Sequence, residues 1–353
     1  MRPFAIASLG LCAVLTVSGC EKPAAPAQYP PGQYDPGNPG QLNPGQFNQG
    51  QMNPGQLNPG PMNPPPQAIP QGPPVPNDPV SDVDLTWLRA AAGGVLSELV
   101  AALPQEARTK VQGVPFITDP AVGEVNAYAA CDERHMPLMA MTDGILQIEA
   151  YIAQMRATDE VFGTQKLDGY LRYVAQNQRP KQPIVAPPPG FVDPMQHVDY
   201  RKVVRQHQLV EEQMAFVLGH ELAHHHLGHT GCAVGESGDR KVTLADLLRL
   251  GQRIVPIANQ PNEVSADVAG VNNLLSAGAR RQGYHWTEGG ALLTLDFFSR
   301  LDKLTTESLI FAFESSHPNP ALRVPFVNQA AQNWRRNGGA GWQQQPMPQQ
   351  PMR

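Results

Sequence analysis

Between residues 21 and 80 the chain is dominated by Pro, Gly, Gln and Asn, and a five-residue unit recurs there. It reads Asn38-Pro39-Gly40-Gln41-Leu42, starts again at Asn43, Asn53 and Asn58, and has a looser copy from Asn48. A period of five matches neither the helix nor the strand repeat. Proline removes backbone donors, and the apolar surface is too small to offset the entropy of ordering the chain. Residues 20–80 therefore read as a flexible spacer, and 337–353 read the same way. Folding is confined to 81–336, which is long enough for a sizeable core. Only 16% of the chain is charged, and these uncharged stretches cause part of that deficit. The net charge of -5 with no basic run argues against a nucleic-acid partner.

Residues 1–19 read as an export signal. Arg2 is followed by an apolar run from Phe4 to Val17, too short to span a bilayer comfortably. Val17-Ser18-Gly19-Cys20 resembles the lipobox of bacterial lipoproteins. On that reading Cys20 becomes the first residue after cleavage and carries acyl chains, palmitate among them. More than one chain is needed for stable anchoring. The expected location is the periplasmic side of a bacterial envelope, and Glu21 in place of Asp favours the outer membrane. Cys12 leaves with the signal, so Cys131 and Cys232 remain, and an exported pair can form a disulfide.

Within the domain, Leu85, Leu88, Val95, Leu96 and Leu99 have helical spacing, predicting a helix over 84–103. Val114–Ile117, Val125–Tyr128 and Leu138–Met141 are short apolar runs between turn formers, predicting a small sheet. Asp143 starts another helix, 178–197 is a Pro-rich loop, and helices follow at about 200–229, 242–255, 261–277, 286–303 and 320–334. The pattern is α+β, mostly helical.

The chemistry centres on His220-Glu221-Leu222-Ala223-His224. On a helix, positions i and i+4 share a face, so both imidazoles can reach one zinc ion, with Glu221 beside them as a base. Met214, Phe216, Val217 and Leu218 precede the motif and make its helix apolar enough to be buried. A catalytic zinc needs a third protein ligand and an open position. A metzincin-type third histidine would stand at 230, where Thr230 is found, and its glycine would stand at 227, where Leu227 is found. At about 100° per residue His225 and His229 point nearly opposite to the pair, so His225, His226 and His229 read as solvated or supporting residues. Glu263 is the better third ligand. Asp267 lies one turn on, placed to accept the free N–H of a ligand histidine.

These residues support a family resemblance. The chain resembles the HtpX-like, CAAX-prenyl-protease-type zinc metallopeptidases, a gluzincin group that includes periplasmic lipoproteins. Four features carry it in order: Val125–Ala129 with Met139–Leu146, then the His220–His224 motif. Next come Glu263–Asp267 with Gly270, and finally Ser316-His317-Pro318 with Arg323. The match covers about 114–325. The resemblance implies a mostly helical gluzincin domain binding one zinc ion through His220, His224 and Glu263. It implies an endopeptidase in which Glu221 activates the attacking water and His317 donates a hydrogen bond to the developing oxyanion. The expected substrate is a polypeptide of the envelope, misfolded proteins included, added as an extended strand along Leu138, Met139, Ala140 and Met141. Arg323 is expected to anchor its loop. The rival reading is a zinc-binding envelope chaperone or assembly factor with little proteolysis. The chain departs from the family at Cys131–Arg134, which replaces a glycine-rich turn.

Overall fold

A computed structural model describes residues 71–132, 135–232, 260–304 and 320–339. The signal-like segment, Cys20, the repeats, the helix expected over 242–255, His317 and residues 340–353 lie outside the described residues. Helix boundaries follow local chemistry. Asp84 caps α1 (Leu85–Ala102), its carboxylate accepting from the backbone N–H groups of Thr86 and Trp87. α2 (Gln105–Val111) follows. The three apolar runs become β1 (Phe116–Asp119), β2 (Ala127–Cys131) and β3 (Pro137–Thr142). Thr142 ends β3 and caps α3 (Asp143–Phe162), which Gly163 closes at φ +66°. α4 (Lys166–Asn177), the Pro-rich stretch with short α5 (Pro194–His197), and α6 (Tyr200–His226) come next. α7 (Gln260–Gly278), α8 (Gly289–Leu304) and α9 (Pro320–Arg336) complete the described elements. α2 and α4 add to the helices expected from periodicity. The Pro-rich stretch packs on α4, where Tyr170 donates to Val185 O and Lys166 to Phe191 O.

The sheet runs β1–β3–β2, with β1 parallel and β2 antiparallel to β3. All six residues of β3 are buried. This corrects one expectation: Leu138, Met139, Ala140 and Met141 are not a free edge. A centre strand commits its backbone groups to neighbours on both sides. Met139, Ala140 and Met141 pair with both β1 and β2. Leu138 lies beyond β1, but its carbonyl accepts from His225 Nε2 at 2.9 Å. Among the described residues the outer strand beside α6 is β2.

α6 is 27 residues long, and every residue from Leu209 to His226 is buried except Glu211. A helix apolar or satisfied on all faces belongs at the centre of its domain. α6 indeed packs against α1, α3, α7, α8 and β2. Leu88, Leu99, Ile148, Met214, Leu218 and Leu274 are fully enclosed around it, each contributing about 1.5–3 kcal/mol of burial. No helix among the described residues is long and apolar enough to cross a membrane.

A buried polar knot ties residues 78–81 to α6. Asp78 accepts from His207 Nε2 at 2.6 Å and from the amide of Ser81 at 3.0 Å. Lys202 Nζ sits 3.2 Å from Ser81 Oγ, fully enclosed. Burial pushes the Lys202 ammonium down from 10.5 to about 8, with Asp78 and Asp82 offsetting only part. Its folded pKa lies below its unfolded one, so the unfolded chain holds more protons between those values and stability rises with pH there. The stability of Lys202→Met relative to wild type should therefore fall by on the order of 3 kcal/mol between pH 8 and pH 10.5. Urea unfolding across that range checks this, and a difference flat with pH would refute it.

Candidate metal centre

Two helices bring the candidate ligands together. α6 carries His220 and His224 one turn apart. α7 crosses it at a pair of glycines: a Cβ at Gly270 would stand 2.9 Å from His220 N and 3.1 Å from Gly219 C. The first is closer than a Cβ comes to backbone and the second is tight, so glycine is what lets the two backbones approach. The approach places Glu263, in the first turn of α7, over the histidine pair.

The three side chains converge. His220 Nε2 and His224 Nε2 are 3.0 Å apart, and Glu263 oxygens lie 3.4 Å from the first and 3.3 Å from the second. All three residues are buried. Tetrahedral zinc with bonds of about 2.0–2.1 Å sets its ligand atoms roughly 3.3 Å from one another. The two imidazole nitrogens each lie near that distance from one of the two Glu263 oxygens, and two imidazoles with a carboxylate are a donor set suited to zinc. Glu221 is 2% exposed beside them. It lies within electrostatic reach of His224, His225 and Arg323.

Outer partners hold the ligands. Asp267 Oδ1 is 2.9 Å from His220 Nδ1. Arg323 grips Asp267 through Nε (2.7 Å) and Nη2 (2.6 Å), with Nη1 3.5 Å from Glu263 Oε2. Burial works against a charged His220, but hydrogen bonds donated to Asp267 and Glu263 outweigh it and lift the imidazole to about 9. His224 is pushed below its ordinary value, by burial first, which Glu263 only partly offsets. Burial also opposes an ionised Asp267, yet the Arg323 guanidinium holds its carboxyl below the usual carboxylate range.

Two sequence expectations change here. Arg323, expected to anchor its loop, is completely buried and spans Asp267 and Glu263 instead. Of the two alternatives for His225 and His226, solvated or supporting, burial excludes the first, because α6 stays enclosed to its last turn. His229, placed opposite to His224 by the helical wheel, touches it: the two Nδ1 atoms are 3.1 Å apart. The wheel fails because the helix has already ended. Gly228, at φ +81°, takes the left-handed position after the C-cap Leu227. Its N–H bonds to His225 O, and the N–H of His229 to His224 O. That is the Schellman closure, in which the second residue past the cap folds back onto the last turn. Gly228 was the signal in the sequence that this would happen. Cys131 and Cys232 are joined by a disulfide, with Cα atoms 5.4 Å apart, tying the loop after α6 to the end of β2.

A buried His-His-carboxylate centre with an adjoining glutamate, on crossed helices beside a small sheet, is the architecture of a gluzincin-type metallohydrolase. Residues 96–331 match the family model of Peptidase family M48, and the chain belongs to that family. Membership makes it a zinc metallopeptidase, acting on polypeptides. No match emerged among curated proteins or among solved structures.

Proposed function

We propose that the protein is a zinc-dependent endopeptidase of the bacterial envelope, in which His220, His224 and Glu263 hold the ion and Glu221 is the general base. The observation that carries this is the convergence of one ligand atom each from buried His220, His224 and Glu263, all within 4.8 Å of one another, with Glu221 beside them. Zinc held there supplies Lewis acidity toward a peptide carbonyl and acidifies water. Glu221 takes a proton from the attacking water and returns it to the leaving amine. Asp267 fixes His220 with its proton on Nδ1, leaving Nε2 free to ligate. Arg323 spans the two carboxylates and holds Asp267 in its ionised form in a buried site. An extended substrate lies along β2, the outer strand beside α6. His317 as an oxyanion partner rests on the family resemblance.

Lipidation at Cys20, residues 1–19 as the signal and 20–80 as a spacer from the membrane belong to the same reading, supported by the lipobox pattern. The disulfide agrees with an oxidising compartment outside the cytoplasm. Misfolded envelope proteins are the proposed substrates.

The test is metal removal. Protein spanning 71–353 should cleave an unfolded polypeptide internally. Cleavage should fall to background after chelation and return with one equivalent of zinc. A protein that carries zinc yet leaves every unfolded polypeptide intact would favour the chaperone or assembly role.

A further inference from the structure

His220 and His224 have different outer partners, and the second is the unusual one. His220 leans on a carboxylate. His224 Nδ1 instead faces another imidazole nitrogen, Nδ1 of His229, at 3.1 Å. The other side of that ring, Nε2, is 3.2 Å from Ser265 Oγ, and Ser265 Oγ donates to Asn262 O at 3.0 Å. Ser265 and Asn262 flank Glu263 in the first turn of α7.

Resting on the proposed ligand set, we infer that His229 and Ser265 form a proton-ordered relay that positions the zinc-binding nitrogen of His224. The ordering follows from donor and acceptor counting. A ligand nitrogen must be bare, so a neutral His224 that ligates through Nε2 carries its proton on Nδ1. That proton can only be donated, so His229 Nδ1 must be bare to accept it. His229 then carries its own proton on Nε2 and donates it to Ser265 Oγ. The hydroxyl, having accepted, donates onward to Asn262 O. Each step has one donor and one acceptor, and reversing any of them would set two protons or two lone pairs face to face. The chain begins at one ligand and ends on the backbone next to another, so it holds the two ligand-bearing helices in a single tautomeric state.

The loop that bears His229 is itself fixed. Gly228 sets its turn, Thr230 Oγ1 lies 3.3 Å from His225 Nδ1, and the Cys131–Cys232 bond closes it onto β2. His229 is therefore presented to His224 by covalent and backbone constraints.

Two shape-matched substitutions separate this from packing alone. Asn places an oxygen acceptor where His229 Nδ1 stands; Leu places a methyl group there. Zinc affinity of the protein, measured by competition with a chromophoric chelator, should stay within a few-fold of wild type in His229→Asn. It should weaken about 10–100-fold in His229→Leu, the usual cost of losing an outer partner of a metal ligand. The zinc-free variants should unfold at similar temperatures, which a merely structural role would not predict. Equal affinity in Leu, Asn and wild type, or an equal loss in Leu and Asn, overturns the relay. If the leucine variant does not fold, Ser265→Ala decides. It should weaken zinc binding with His229 present and have no effect beside His229→Asn, whose short side chain does not reach residue 265. An equal fall in both backgrounds overturns the relay. Absence of stoichiometric zinc from the wild type would overturn the metal centre itself, and absence of cleavage alone would leave the affinity order standing.

Discussion

Glu221→Gln should lower peptide hydrolysis about 10²–10⁴-fold while leaving zinc content unchanged. The range is what a positioned base contributes. The substitution keeps the size and planarity of the side chain and removes only its capacity to take a proton. Glu221 sits between the two ligand histidines in sequence and is 2% exposed, so little water is available to replace it. Its neighbours argue that it is not itself a ligand, since His220, His224 and Glu263 already bring one ligand atom each within 4.8 Å of one another. Initial rates on an unfolded polypeptide, with bound zinc counted in the same samples, read both halves of the expectation. If the glutamine variant cleaves as fast as wild type, the base has been misassigned. If it loses its zinc, Glu221 belongs among the ligands.

The second large effect concerns stability. Arg323→Leu should destabilise the zinc-free protein by about 3–5 kcal/mol, the cost of stripping one partner from a buried ion cluster. Arg323 is 0% exposed, as is Asp267, and Glu263 is 1% exposed. Removing the guanidinium leaves two carboxylates enclosed together without their cationic partner, and like charges held close together raise the cost further. For a domain of this size the loss corresponds to a melting temperature lower by roughly 10 °C. Lysine should rescue little, because a point charge cannot meet both oxygens of Asp267 as the planar fork does. The double variant Arg323→Leu/Asp267→Leu should lose much less than the sum of the singles, since the stranded charge leaves with the second change. Additive losses would show that the two residues do not work as one unit.

How much of this could be read from the chain alone follows from the range of each signal. The apolar runs at 114–142, the burial of α6 and the one-turn spacings of His220 with His224 and Glu263 with Asp267 are local, and all are found in the fold. What escaped depends on contacts between distant residues or on a broken period. Strand order is set by packing, so β3 could be recognised as a strand but not as the middle one. Arg323 lies 56 residues from Asp267 and has no repeating pattern to mark it. His229 was misplaced by carrying a helical angle across Gly228, a residue type that often ends helices. Each lapse concerns the outer layer of the site, where partners come from separate segments.

The glycine pair at the α6–α7 crossing has one more implication. Any ordinary side chain at position 270 would act as a wedge, prising the glutamate arm off the imidazole arm while both helices and their sheet persisted. Alanine there would yield a protein that passes every test of being folded and still cannot close its grip on a cation. The margin between those two molecules is a single methyl group.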